Sequence, residues 1–114
     1  FSMDGRYLET ILLPGANVCR PVIRGDFLYA AVLTSGNTGN TNTGFVVILD
    51  KDNKLISAPG GSVPAYKNGV CMESYQTVQL FRHPHDVLID EDENLYVCQW
   101  NSGHVLPVKL SPYV

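Results

Sequence analysis

His83, His85 and Asp86 stand together in the run His83-Pro84-His85-Asp86. This is where the sequence concentrates groups that can bind a metal or move a proton. Imidazole titrates nearer neutrality than any other side chain, and its neutral form is a common zinc ligand. Elsewhere the chemistry-bearing residues are few. Arg20 offers a planar fork suited to a carboxylate or phosphate. Trp100, the single tryptophan, offers a flat apolar face that caps a strand or stacks on a ligand. The three cysteines, Cys19, Cys71 and Cys98, are widely spaced and show no Cys-x-x-Cys pairing. They read as reduced, mostly buried thiols rather than as a disulfide or a metal site, Cys98 from inside an apolar run. The acidic run at residues 90–93 has the composition of a calcium loop without its glycine and terminal glutamate, so it reads as a solvated turn. Phosphate loops, nucleophile elbows and Ser/His/Asp arrangements are absent as sequence patterns. His83 is expected to face solvent, and His104 to open a strand in a structural role.

The elements that must position these groups are short. The chain has 114 residues, 45% of them hydrophobic, and a formal net charge of -3. That is one domain with a modest core. The slight acidity argues against a nucleic-acid partner, which calls for a basic stripe. No apolar run approaches the roughly 18 residues of a membrane span, so no membrane partner is expected. No basic segment followed by an apolar one marks a secretion signal, and the start at Phe1 leaves the compartment open.

Apolar runs alternate with turn residues along the whole chain, which predicts an all-β fold of antiparallel meanders. Asp4-Gly5 and Pro14-Gly15 bracket a first strand. Residues 17–24 form a second, and Gly25-Asp26 turns the chain into the nearly continuous apolar run of residues 27–33. Residues 34–44 are low in complexity and read as a hairpin loop. Phe45-Val46-Val47-Ile48-Leu49 is the clearest strand, β-branched and apolar. Residues 50–53 turn the chain into a shorter outer strand at 54–57, stopped by Ala58-Pro59-Gly60-Gly61. Residues 62–79 read as a long connection packed across a surface. Strands at 87–89, 95–98 and 105–108 follow, separated by residues 90–94 and by Asn101-Ser102-Gly103.

An internal repeat organises these strands. Leu28-Tyr29 matches Leu95-Tyr96, each after a charged turn and a short strand, and a further apolar strand follows in both halves. The chain reads as one outer strand (1–15), a full four-stranded unit (17–61) and three strands that lack an outer one (80–110). His83-Pro84-His85-Asp86-Val87-Leu88-Ile89-Asp90-Glu91-Asp92-Glu93-Asn94-Leu95-Tyr96-Val97 resembles the blade opening of NHL-repeat six-bladed β-propellers, Pro-x-(Gly/Asp)-Val-x-(Val/Ile)-Asp-x-x-(Gly/Asp)-Asn-(Ile/Leu)-Tyr-Val. Val47-Ile48-Leu49-Asp50-Lys51-Asp52-Asn53-Lys54-Leu55 resembles that family's third strand, turn and outer strand.

The resemblance implies a single domain of two four-stranded antiparallel propeller blades. Two blades cannot close a ring without exposing long edges. Either the chain is a piece of a longer propeller, or three copies close a homotrimer in which each N-terminal strand completes the next copy's last blade. The family includes the peptidylamidoglycolate lyases, whose zinc is held by histidines after proline at comparable blade openings. Pro84-His85 is similar to that pattern, with Asp86 in place of the usual glycine, while the lyases' tyrosine and arginines have no counterpart assignable by motif. Three copies of His85 around one axis imply a zinc site with an open position. Arg20-Pro21 is expected to occupy the place of His85-Asp86 in the other blade, alternating with the histidines. Two functional expectations follow. One is a binding or interaction module that takes a small molecule or peptide on Arg20, His85, Asp86 and Trp100. The other is a metal-dependent lyase or hydrolase with zinc on His85.

Overall fold

A computed structural model describes residues 1–35 and 43–112, and all regular structure in them is antiparallel β. β1 (Ala16–Arg24), β2 (Phe27–Ser35), β3 (Phe45–Leu49) and β4 (Leu55–Ser57) form a four-stranded meander in chain order. β5 (Tyr66–Lys67) and β6 (Val70–Cys71) form a small hairpin. β7 (Pro84–Ile89), β8 (Leu95–Gln99) and β9 (Val108–Leu110) form a three-stranded meander.

β2 and β3 are apolar at every position of their centres because both faces of the first sheet are covered. Ala30 pairs with Val47 and Ala31 with Val46, and all four are fully buried. Ala30, Val32, Phe45, Val47 and Leu49 fill one cluster, on which Leu13, Tyr66 and Cys71 pack. Ala31 and Val46 face the opposite way, into a cluster with Phe81, Val87, Ile89, Leu95 and Val97. The second sheet therefore stacks on one face of the first. Its own strands alternate: Val87 and Ile89 are buried, while Leu88 between them is 57% exposed.

Turn chemistry sets the strand boundaries. Gly25, at φ 59, occupies the first central position of a two-residue hairpin closed by the Arg24–Phe27 pair. Asp50 Oδ1 accepts from the amides of Asp52 and Lys54 at 2.9 and 3.0 Å, and Asp90 Oδ1 accepts from Asp92 and Asn94 at 3.0 and 2.8 Å. The acidic run is thus a hairpin turn held by its first carboxylate.

Four expectations are corrected. Residues 62–79 contain the β5–β6 hairpin, because Asn68 (φ 51) and Gly69 (φ 77) supply the pair of left-handed residues that a two-residue turn requires. The last strand starts at Val108 rather than residue 105. Asn101, Gly103 and His104 all have positive φ, and Pro107 brings no amide to a ladder. His104 therefore lies exposed in a loop and opens no strand. Cys98 is exposed, since it points away from the first sheet on β8, while Cys19 and Cys71 are half-buried; all three are free thiols.

Residues 6–13 have no ladder partner among the described residues and adopt no regular structure. Leu13 packs on the first core cluster, and Glu9 Oε1 accepts from Asn53 Nδ2 at 3.0 Å. Most of the loop expected at 34–44 lies outside the described residues.

Candidate functional site

The opening strands of the two sheets, β1 and β7, lie against one another. β7 is irregular at one place and β1 at two, the first of them between Ala16 and Val18. In β1 the pairing slips again between Val18 and Pro21, and in β7 it slips between Pro84 and Asp86. Such bulges re-aim side chains out of the pleat. The slips contain Arg20 and His85, two of the residues the sequence singled out.

Arg20 Nη2 donates to Asp86 Oδ2 at 2.7 Å across the seam between the sheets. Asp86 Oδ1 also accepts from the Val87 amide at 2.8 Å. The Arg20 hydrogen bond holds the Asp86 carboxyl below the usual carboxylate range; burial opposes this, and the Val87 amide and the charges of Arg20 and His85 add to it. The same hydrogen bond and charge push Arg20 up. The two charges neutralise each other, so Arg20 does not stand as an open anion fork in this chain.

Val22 pairs with Tyr29 as Leu88 pairs with Tyr96. Counting back, Pro21 corresponds to Val87 and Arg20 to Asp86. The expected correspondence of Arg20 with His85 is therefore displaced by one residue.

His85 is exposed, with its ring centroid 6.2 Å from that of Trp100 at an interplanar angle of 43°. Trp100, at the end of β8, is 55% exposed. His83 flanks the same indole at 6.3 Å, and its carbonyl accepts from the Trp100 amide at 2.9 Å. Gln99 Oε1 accepts from the Arg82 amide at 2.6 Å, and Gln99 Nε2 donates to Leu106 O at 3.0 Å, tying the approach to β7 to the loop before β9. Arg20 with Asp86 and His85 with Trp100 are thus two adjacent pairs on one rim, and the charge of His85 is felt at Asp86.

His83 corrects the expectation of a solvent-facing loop residue. It is 3% exposed, and neither ring nitrogen has a hydrogen-bond partner among the described residues. Its backbone at φ 47 and the hydrogen bond its amide donates to Thr43 O at 3.2 Å turn the ring inward. Gly44 closes the other side. A Cβ there would sit 2.3 Å from Pro84 Cδ, so only glycine lets the two backbones approach so closely. No local pattern in the sequence reports that burial, because residues 43–44 are distant from 83–84 along the chain.

Among the described residues no group of three or more His, Cys, Asp or Glu side chains could hold a metal ion. Asp86 is engaged by Arg20, and His85 has only aromatic company. The donors that one chain gathers among the described residues do not fit a zinc site. No family model matches the chain, and no curated protein or solved structure matches it either.

Proposed function

We propose that this chain is a ligand-binding or interaction module made of two β-propeller blades, three copies of which close a six-bladed ring. The two meanders are stacked face to face with their opening edge strands, β1 and β7, against one another, which supports reading them as successive blades. The observation that carries the binding reading is the rim where β1 meets β7. There the exposed indole of Trp100 lies beside the exposed imidazole of His85 and a neutralised ion pair, the indole's other imidazole neighbour, His83, being buried. Indole and imidazole faces present flat apolar area with little rotamer entropy to lose. That favours a planar or aromatic group on a small molecule or short peptide.

Trp100 reports its own occupancy, being the only tryptophan. Titration with N-acetyl-tyrosine amide and with an aromatic dipeptide is expected to change its fluorescence saturably, and His85→Ala to weaken the response about tenfold, as for loss of one stacking contact. A strictly linear response, unchanged in His85→Ala, refutes the binding reading.

A further inference from the structure

The first fifteen residues repeat the outer corner of the first sheet turn for turn. Ser2 N donates to Arg6 O at 2.8 Å and Gly5 N to Ser2 O at 2.9 Å, with Gly5 at φ 83. In the β3–β4 turn, Asp50 N donates to Lys54 O at 2.9 Å and Asn53 N to Asp50 O at 3.0 Å, with Asn53 at φ 60. Ser2 Oγ accepts from Arg6 N at 3.0 Å, where Asp50 Oδ1 accepts from Lys54 N at the same distance. The β7–β8 turn shares this entry pattern, but the exit separates the two. After β4, Gly61 N closes on Ala58 O at 2.8 Å around Pro59-Gly60, with Gly60 at φ 83. After residues 6–13, Ala16 N closes on Leu13 O at 3.2 Å around Pro14-Gly15, with Gly15 at φ 79. Residues 6–13 thus lie between the same two corners as β4, without a sheet to belong to.

We infer that residues 2–15 are the outer corner and fourth strand of a composite blade, whose other three strands are β7, β8 and β9 of a second copy. The inference rests on the ring proposed above and says how its copies join. Among the described residues, 6–13 run between two such corners without a ladder partner, and β7, β8 and β9 form a sheet of three. The faces match too. Val22, Tyr29 and Ala31 of the first sheet pack on the second sheet. Their counterparts in the second sheet, by the Tyr29–Tyr96 register, are Leu88, Tyr96 and Cys98, and Leu88 and Cys98 are exposed. Conversely, Leu95 and Val97 pack on the first sheet, and their counterparts Leu28 and Ala30 line its far face. There an apolar recess of ≈ 330 Å³ lies among Ile11, Leu13, Val18, Pro21, Leu28 and Leu49. Most of that face is already covered, Ala30, Val32, Val47 and Leu49 being buried beneath neighbours that include Leu13, Tyr66 and Cys71, so the second sheet of another copy would meet it at this recess.

The edges agree with this arrangement. Tyr66 Oη accepts from the Leu55 amide at 2.7 Å, which blunts the β4 edge. At the β9 edge a second cleft of ≈ 330 Å³ runs from Leu95 and Leu110 to Ser57 at the end of β4 and Pro59 just after it. A strand paired to β9 would lie there, alongside β4. Residues 6–13 already lie alongside the β3–β4 turn of their own copy through Glu9 and Asn53. No swing of the N-terminal segment is needed: the second copy docks beside it.

Two damaged copies test the junction. Deletion of residues 1–12 removes the donated strand and keeps the second sheet; Leu88→Asp spoils the second sheet's outer face and keeps the strand. Both changes fall on exposed residues apart from the half-buried Ser2, and circular dichroism checks that each variant keeps its β signal. By sedimentation the wild type is expected at three times the 12.5 kDa chain mass and each variant alone at one. Their equimolar mixture is expected to form a one-to-one dimer, because a head-to-tail contact leaves one intact junction. Thiol labelling of Cys98 should be slow in the wild type and fast in Leu88→Asp. A trimer that survives the deletion, or folded monomeric variants that fail to dimerise on mixing, overturns the composite blade and leaves the ring standing. A monomeric wild type removes the ring as well. The Trp100 titration decides the binding reading separately from either outcome.

Discussion

Replacing His83 by phenylalanine should stabilise the protein. The ring is 3% exposed, and both its nitrogens lack partners among the described residues. A buried polar group without a partner costs about 1–3 kcal/mol, and phenylalanine fills similar space without that cost. Against the gain stands the backbone at φ 47, a region where histidine is several-fold enriched. A several-fold preference is worth roughly 0.6–1 kcal/mol at room temperature. The balance is a net gain of about 1 kcal/mol, or a rise in Tm of roughly 4–8 °C for a domain of this size. Urea unfolding followed by Trp100 fluorescence measures it, with an unchanged m-value as the check on two-state behaviour. His83→Asn is the control. It tolerates the same φ, keeps buried polar atoms and loses ring volume, so it should destabilise by about 2 kcal/mol. If His83→Phe instead unfolds more readily than the wild type while His83→Asn is tolerated, the nitrogens are satisfied in solution and the reasoning fails.

Other perturbations probe the seam and the packing. Asp86 has a depressed folded-state pKa, so its contribution to stability is present above the ordinary carboxylate value and is lost as pH falls through the folded value. Asp86→Asn should therefore flatten part of the acid-side slope of stability against pH. High salt should shrink the difference, since the side chains of Arg20 and Asp86 are 68% and 36% exposed. Gly44→Ala would force a Cβ to 2.3 Å from Pro84 Cδ and 2.6 Å from Val32 O, and should cost about 2–4 kcal/mol in chemical denaturation. Gly25→Ala meets no atom within 4 Å and should cost only about 1 kcal/mol, for its φ of 59. Val97→Ala, fully buried between the sheets, should cost about 2–3 kcal/mol. Leu88→Ala, one strand away on the opposite face, should leave the unfolding free energy of a single copy within about 0.5 kcal/mol.

Much of the fold was legible because strand signals are local. Phe45 to Leu49 is β-branched and apolar throughout, and the structure makes it β3. Asp50 and Asp90 stand where a short carboxylate can bond the amides two and four residues on, and both open turns. Asn68-Gly69 carries the same kind of signal, but the strands it joins are two residues each, too short for an apolar alternation to mark them. The last strand was placed too early because Val105 and Leu106 look like strand residues. The backbone at Gly103 and His104 delays the pairing.

The site was legible by residue but not by arrangement. Arg20, His85, Asp86 and Trp100 were picked by type, and the structure gathers them at one rim. Their pairing was not readable, because it depends on how far β1 and β7 slip against neighbours that lie many residues away.

By itself, then, the sequence determined the antiparallel meanders and the positions of most turns, since alternation and turn chemistry act over a few residues. Tertiary structure alone decided that Arg20 answers Asp86, that His83 is buried under residues 43–44, and that Leu88 and Cys98 are left on an open face. Burial and pairing are set by segments remote in the chain, and no local window contains both partners.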